Sequence, residues 1–91
     1  MTGRRYKSYV FISRVLRSDL FTSLEREVLT DAAEGLLLTS EPDSAQISEL
    51  EHNARAALGG MTAARRIHGT TAAEIFERIR DCGPERVATA A

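Results

Sequence analysis

The chain has 91 residues, so it holds one domain at most, because typical domains run to roughly 100–150 residues and a chain this short buries only about 60–65% of its unfolded surface. Its 43% apolar residues, 27% charged residues and formal net charge of −1 exclude the disordered, collagen-like and disulfide-scaffold classes. A near-neutral chain also has no overall field that attracts nucleic acid or anionic lipid, so such a role would need a local patch.

The first predicted element, residues 6–20, is open to two interpretations. It is rich in aromatic and β-branched residues, which favour a strand, but its apolar positions also recur at helical spacing at Tyr9, Ile12, Leu16 and Leu20. We favour a helix, because no other stretch of the chain could pair with a strand in this position. A strand would have to pair with its copy in a dimer.

The second predicted element is a helix over residues 23–39. Thr22 and Glu25 have the spacing of a capping box, in which the threonine side chain accepts a hydrogen bond from a free backbone amide and the glutamate reaches back to the cap. A broad apolar arc follows at helical spacing: Leu24, Val28, Leu29, Ala32, Ala33 and Leu36. An arc this wide indicates a central helix.

The third predicted helix covers residues 44–68, with a capping box at Asp43 and Gln46. Its apolar seam consists of Ile47, Leu50, Ala54, Ala57 and Met61. Gly59 and Gly60 each cost roughly 1 kcal/mol relative to alanine in a helix interior, so the helix either stops there or continues to residue 68 if packing compensates. The sequence leaves both possibilities open.

The fourth predicted helix covers residues 71–82. Gly69 suits a left-handed C-cap of the preceding helix, His68 would then lie near that helix's C-terminus, and Thr71 with Glu74 forms a further capping box. One face carries Ala72, Ile75, Phe76, Ile79 and Cys82. Together the segments predict an all-α fold, a small antiparallel bundle of three to four helices over residues 6–83. Residues 1–5 and 84–91 are expected to be flexible ends.

Cys82 is the single cysteine, and His52 and His68 are the only histidines, so no disulfide or zinc site can be assembled from them. We expect no cofactor and no metal, and we interpret Cys82 as a small core residue. No signal-peptide core or membrane span is evident, which favours a cytoplasmic protein. The near-exclusive use of arginine as the basic residue, together with abundant alanine, hints at a GC-rich bacterial genome.

Charge is distributed in blocks along the chain. Residues 1–20 carry +4, residues 21–53 carry −7 and residues 54–91 carry +2. We expect these blocks to be neutralised within the bundle or across a dimer, each exposed pair contributing about 0–1 kcal/mol. The candidate partners are Lys7, Arg14 and Arg17 on the first helix and Glu27, Asp31 and Glu34 on the second. The three carboxylates otherwise form a solvated face rather than a cation site.

Templates for catalysis are absent from the sequence. There is no glycine-rich phosphate loop, no nucleophile elbow and no His-Glu-x-x-His pair. We therefore predict that the protein is not an enzyme.

His52 is predicted to lie on the outer side of the third helix, with Arg55, Ala56 and Gly59 beside it. An exposed histidine followed by a cation at i+3 and a small residue at i+4 resembles the phosphoacceptor helix of histidine phosphotransfer domains, which are small four-helix bundles. In that family the cation holds the phosphoryl group and the small residue is normally glycine, whereas this chain has arginine for lysine and alanine for glycine. The resemblance covers about ten residues, and an ordinary surface histidine is the simpler interpretation.

Two routes to DNA binding are also open. Residues 63–76 have the outline of a helix-turn-helix, although the second helix would present Glu74 and Glu77 to phosphates. A dimeric ribbon-helix-helix would instead place a strand carrying Arg4, Arg5 and Lys7 in the major groove. Nucleic acid is possible as a partner but not favoured.

The aromatic N-terminal segment exceeds what one small helix can bury, which suggests a partner surface. The candidate interface residues are Tyr6, Tyr9, Val10, Phe11, Ile12 and Phe21. We predict a non-enzymatic protein–protein interaction or regulatory module that binds itself as a homodimer and also binds an unidentified protein, because a thin core often needs a second chain to complete its burial.

Overall fold

The computed structural model describes residues 3–39 and 45–84, and these ranges form four helices. The helices are α1 (Gly3–Val15), α2 (Ser23–Leu37), α3 (Ala45–Ala63) and α4 (Gly69–Asp81). The predicted all-α bundle is confirmed, with no strand in the described ranges. Candidate capping residue Asp43 lies outside them, as do residues 1–2 and 85–91 of the two expected flexible ends.

The helices pack around one core, with α1 and α3 at opposite corners. Helix α2 packs against the other three helices and α4 does the same, whereas α1 and α3 do not approach each other in the described residues. The α2 and α4 pair therefore forms the short diagonal of the bundle, and α1/α2 and α3/α4 are opposite edges. The largest side chains that are almost completely buried are Ile12, Leu29, Leu36, Met61, Ile79 and Cys82.

Helix α1 begins three residues before the expected start and ends five residues before the expected end of the segment 6–20. Ser8, Ile12 and Leu16 recur every four residues and are buried, so helical packing prevails over the strand propensity of the aromatic residues. The alternative of a strand at residues 6–12 is wrong. Leu20, expected on the helix face, lies beyond the helix and is exposed.

The connection from α1 to α2 is held by the side chain of Arg26. Its guanidinium donates from Nε to the carbonyl of Leu16 at 2.6 Å and from Nη2 to those of Ser18 and Phe21 at 3.1 and 3.2 Å. Carbonyls at the end of a helix lack intrahelical donors, and a cation there also complements the helix dipole. Arg26, the one basic residue of the acidic middle block, thus closes the end of α1.

The side chain of Arg5 likewise binds backbone carbonyls at the ends of two helices. Its Nη2 donates to the carbonyls of Leu36, Leu37 and Thr39 at 2.9, 3.0 and 2.7 Å, at the end of α2. Its Nε donates to the carbonyl of Cys82 at 2.9 Å, just past the end of α4. The first turn of α1 is therefore attached to the C-terminal ends of α2 and α4. Residues 3–5, expected to belong to a flexible N-terminus, are helical in the structure.

Replacing Arg5 by methionine keeps the aliphatic stem but removes every donor to these carbonyls. We expect Arg5→Met to lower the free energy of unfolding by about 2–3 kcal/mol, the range for hydrogen bonds to a charged group. Urea unfolding followed by circular dichroism measures this change. Exposed Arg4 is the matched control, and Arg4→Met should change stability by no more than about 0.5 kcal/mol. Equal losses from the two variants would contradict the role of Arg5.

Helix α2 begins where the capping box predicts. Thr22 Oγ1 accepts from the backbone amide of Glu25 at 3.1 Å, and the Glu25 carboxylate accepts from that of Thr22 at 2.9 Å. The predicted apolar arc is too wide, however, because Leu24 is 69% exposed. On a helical wheel Leu24 lies about 110° from the centre of the arc, on the side that borders the groove between α2 and α3.

Helix α3 passes through Gly59 and Gly60 without a break and ends at Ala63, five residues before the longer expected end. The amide of Arg65 donates to Thr62 and that of Arg66 to Met61, the two bonds of a Schellman motif. Arg65 takes the left-handed conformation, with φ of 59°. The expectation that Gly69 supplies this C-cap is therefore wrong, because the chain has already turned at Arg65.

Helix α4 consequently begins at Gly69, two residues before the predicted start. His68 is its N-cap in extended conformation and makes no side-chain cap bond, so the expectation of His68 near a helix C-terminus is wrong. Thr71 lies inside the helix and cannot form the predicted capping box with Glu74. The expected inward face is confirmed for Ile75, Ile79 and Cys82, which are all buried.

Packing against the described residues does not require glycine at positions 59 and 60 of α3, since a Cβ at Gly59 or Gly60 would meet no atom within 4 Å. We expect Gly59→Ala and Gly60→Ala each to raise the free energy of unfolding by about 0.5–1 kcal/mol through helix propensity. Urea denaturation checks this. The control is Gly35→Ala, whose Cβ would lie 2.7 Å from Leu50 Cδ1 and should gain no such stability. If Gly59→Ala gave no higher a free energy of unfolding than Gly35→Ala, the expectation would be refuted.

Candidate interaction surfaces

The outer face of α1 is basic. Arg4, Lys7 and Arg14 are exposed on it, Arg17 follows just past its end, and the helix contains no acidic residue. Tyr6 is 57% exposed on the same side of the molecule. An apolar ring among cations is a surface that fits an acidic partner containing apolar side chains.

The structure divides the six predicted interface residues into different environments. Ile12 and Phe21 are buried in the core of the chain and offer no surface to a partner. Tyr9 and Phe11 are half-buried and pack against that core, and Val10 is also half-buried. Tyr6 is the one member of the set with a largely exposed ring. The aromatic surplus is thus smaller than the sequence suggests, because the chain itself covers much of it.

Tyr9 links α1 to α2 through its hydroxyl group, which donates to Glu34 Oε1 at 3.1 Å. Partial burial raises the pKa of Tyr9, and the hydrogen bond and negative charge of Glu34 act in the same direction. Glu34 therefore has a partner on α1, although it is a phenol rather than the expected cation.

The outer face of α2 is acidic, with Glu27, Asp31 and Glu34 exposed. The expected ion pairs of Lys7, Arg14 and Arg17 with these carboxylates are not formed in the described ranges, so this expectation is wrong within the chain. Helices α1 and α2 pack against each other, and within the described residues Tyr9 rather than a cation of α1 contacts this stripe, at Glu34. A basic face and an acidic face consequently lie side by side.

Two of the ion pairs among the described residues connect the acidic middle of the chain to its C-terminal half. Arg66 binds the Glu25 carboxylate, which lowers the pKa of Glu25, and it also donates to the carbonyl of Leu20. Arg80 lies 3.9 Å from Glu51 on α3 and 3.5 Å from Glu77 on its own helix. None of these carboxylates belongs to the exposed stripe of α2.

The candidate phosphoacceptor patch lies on the outer side of α3, where His52, Arg55, Ala56 and Gly59 are all exposed. The guanidinium of Arg55 is turned away from the histidine and lies over the ring of Phe76, 4.7 Å from its centroid. His52 instead shares a groove with Asp31. A carboxylate beside the histidine opposes the negative charge of a phosphoryl group, and the cation expected to hold that group is directed elsewhere.

The structure bears on both routes to DNA binding. The residues predicted to form a DNA-binding strand, Arg4, Arg5 and Lys7, lie in helix α1. The guanidinium of Arg5 donates hydrogen bonds to carbonyls of the protein itself. In the helix-turn-helix outline, Glu74 and Glu77 are exposed on α4 as expected, where they would repel phosphates. The turn between α3 and α4 is better described as a connection within the bundle.

Two grooves flank helix α3. The groove between α2 and α3 has a volume of roughly 510 Å³ and is lined by Leu24, Val28, Asp31, His52, Ala56 and Gly60, among others. The groove between α3 and α4 has a volume of roughly 530 Å³. Its lining includes Leu58, Gly59, Ala63, Ala72, Ala73 and Phe76, and Arg55 is the one charged residue that the described part of the chain contributes. Small residues line part of each groove, namely Ala56 and Gly60 in the first and Gly59, Ala63 and Ala73 in the second.

Three arginines lie over phenylalanine rings, and two of them are close: Arg80 is 5.9 Å from the centroid of Phe76, farther than the other two contacts. Arg55 covers Phe76, and Arg78 covers Phe11 at 4.8 Å from the centroid. Stacking on a ring orients a guanidinium and leaves the N–H groups at its edge available for hydrogen bonds. These two positions therefore present preorganised cations at the surface.

Sequence reasoning missed the roles of Arg5 and Arg26, since both act on carbonyls made available by the fold. Arg5 bonds to residues 31 to 77 positions away. One signal was available: Arg5 lies on the same helix face as Ser8 and Ile12, so a charged residue occupies a buried register. Arg55 was identified, but as a phosphoryl-binding cation rather than as an arginine stacked on Phe76.

Cys82 is fully buried, and its thiol donates to the carbonyl of Arg78 at 3.4 Å. The expectation of a small core residue is confirmed. Burial raises the pKa of the Cys82 thiol to about 12, and the nearby charge of Asp81 adds to this, while Arg5 acts in the opposite direction. The thiol is therefore protonated and shielded in the folded chain.

We expect Cys82 to resist a thiol-specific disulfide reagent at pH 8 in the native state and to react fully in urea. The unfolded thiol has a pKa of about 8.5, so the unfolded chain loses this proton first as the pH rises. The contribution of Cys82 to stability is therefore complete below about pH 8.5 and is lost between that pH and about 12. The fall should be smaller in Cys82→Ala. Rapid native-state labelling would contradict the burial.

Comparison with known proteins gives no match: no family model matches the chain, and no curated protein or solved structure is significantly similar to it. Among the described residues, no helix combines the length and apolar character that a membrane crossing requires. The same residues contain no group of three or more histidine, cysteine or carboxylate side chains placed to hold a metal ion.

Proposed function

We propose that the protein is a non-enzymatic interaction module that forms a homodimer, with α1 of each copy lying against α2 of the other. The observation that supports this best is the pair of neighbouring faces, basic on α1 and acidic on α2, whose charges do not pair with each other within residues 3–39 and 45–84. The association that the charge blocks suggest is thus carried by two defined surfaces.

A second copy is the occupant that these faces fit by charge. Each copy offers one basic and one acidic face on the α1/α2 edge, so a two-fold axis near this edge brings unlike faces together twice. Packing α1 on its own copy would instead oppose Lys7 and Arg14 to the same cations. The exchanged contact avoids that repulsion.

The apolar residues beside these charges give the contact its area. Tyr6 is 57% exposed on α1, and Leu20 is 39% exposed in the connection from α1 to α2. Burying such side chains contributes about 25 cal/mol per Å² of apolar area, whereas each rim ion pair contributes about 0–1 kcal/mol. Apolar burial would therefore supply the affinity, and the charges would set the orientation.

The regulatory role requires a second, different partner protein, and the cytoplasm of a bacterial cell is the setting we propose for it. A free buried thiol suits a reducing compartment. The composition, rich in arginine and alanine, is in keeping with a GC-rich genome.

The dimer is tested by reversing each face in turn. We expect the native chain to sediment as a dimer at micromolar concentration, and Lys7→Glu/Arg14→Glu or Glu27→Lys/Asp31→Lys to weaken association by about tenfold to a hundredfold through like-charge contact. An equimolar mixture of the two variants restores both complementary contacts. It should therefore dimerise when neither variant does so alone, as sedimentation velocity can show.

The matched control reverses the same number of charges elsewhere. Arg65 and Glu74 are exposed near the turn between α3 and α4, and Arg65→Glu/Glu74→Lys should leave association unchanged. Circular dichroism confirms that each variant is folded. A monomeric native chain, or a mixture that stays monomeric, rules out the exchanged contact.

A further inference from the structure

The groove between α3 and α4 differs from the rest of the surface in its chemistry. Among the described residues its lining has no acidic side chain, and its floor has no side chain longer than a methyl group at Gly59, Ala63, Gly69 and Ala73, which are all exposed. Phe76 forms one wall. The floor therefore lets another backbone approach closely, at the 8–10 Å separation of packed helices.

Arg55 lies at this groove, and its guanidinium makes no hydrogen bond or ion pair with the other described residues. Its guanidinium plane lies over Phe76, and no carboxylate or carbonyl of the described residues accepts from it. By contrast, Arg5 and Arg26 donate to backbone carbonyls, and Arg80 pairs with Glu51. A stacked guanidinium with free donors fits a carboxylate in bidentate geometry.

We propose that the α3/α4 groove binds an amphipathic helix of a partner protein, with its apolar side chains on the glycine and alanine floor and a carboxylate on Arg55. Helix-in-groove binding is the mode in which residues spaced i, i+3 or i+4 and i+7 enter an apolar trough between two helices. The single cation on an otherwise uncharged lining selects an acidic helix over a basic one.

This inference deepens the proposed interaction role by naming the chemistry of the second partner, and it does not depend on the dimer. The α3/α4 edge lies opposite the α1/α2 edge, since α1 and α3 do not approach each other in the described residues. Occupation of the groove therefore leaves the dimer contact accessible, and each site can be tested while the other is disabled.

The probe is a stapled helical peptide of about 18 residues, with leucines at i, i+4 and i+7 on one face, glutamates beside them and alanine elsewhere. Titrated into the labelled full-length chain, it should shift the amide resonances of Gly59, Ala63, Gly69 and Ala73 most strongly. Fluorescence anisotropy should give at least about tenfold weaker binding for a peptide with glutamine in place of each glutamate, because the charged hydrogen bonds are lost.

Arg55→Gln should abolish the preference for the glutamate peptide. Arg78→Gln is the matched control, because Arg78 also lies on a phenylalanine ring but outside this groove, and that variant should keep the preference. Gly59→Leu should remove binding by filling the floor while the helix content stays unchanged, since a Cβ at Gly59 meets nothing within 4 Å.

Several results would overturn the proposal. These are resonance shifts that are absent or lie on other faces, an Arg78→Gln effect equal to that of Arg55→Gln, and dodecanoate displacing the peptide at the same amides, which would assign the groove to a small carboxylate amphiphile. Repeating the titration with Lys7→Glu/Arg14→Glu separates the two proposals. Peptide binding by this variant supports the groove whether or not the native chain dimerises.

Discussion

The contact on which the bundle most depends joins one guanidinium to two helix ends. Arg5, in the first turn of α1, satisfies carbonyls at the C-terminus of α2 and just past the C-terminus of α4. Helix ends expose carbonyls that must find donors, and a small domain has few side chains to spare for them. One long cation therefore fixes the relative positions of three helices, and the fourth packs against two of these.

Because several arginines bind groups of the chain itself, an arginine-rich chain need not be a nucleic-acid-binding protein. Arg5, Arg26 and Arg66 each donate to carbonyls of the chain itself. Arg80 is held by two carboxylates, and Arg78 lies over Phe11. Arginine suits these tasks because its planar fork reaches several acceptors while its stem packs on apolar surface. The exposed cations that remain lie mainly along α1, beside an acidic helix.

Local signals were sufficient to predict the helices, but not the places where tertiary contacts decide. Thr22 and Glu25 fixed the start of α2 because both bonds of a capping box lie within four residues. The start of α4 was misplaced by two residues because Arg65, rather than a glycine, takes the left-handed position. A propensity argument does not foresee that exception, because glycine is the usual residue at the left-handed position of a Schellman motif.

The candidate surfaces were predictable only in composition. Charge order indicated that α1 and α2 carry opposite signs, but whether those charges meet within one chain depends on how the helices are rotated, which pattern alone leaves open. The surroundings of His52 depend on tertiary contacts in a similar way. Helical spacing placed Arg55 beside the histidine, whereas the position of its guanidinium depends on Phe76 of another helix.

The opposite placement of α1 and α3 also limits how the molecule can engage a partner that carries two binding segments. In the proposed dimer the two α3/α4 grooves face away from each other, on the outer sides of the assembly. A linker between two such segments must be long enough to reach around the dimer. Only then can both segments of one partner bind the same dimer, which raises the effective concentration of the second segment. Short tethers would instead link successive dimers, so the geometry favours chains of alternating molecules over closed complexes.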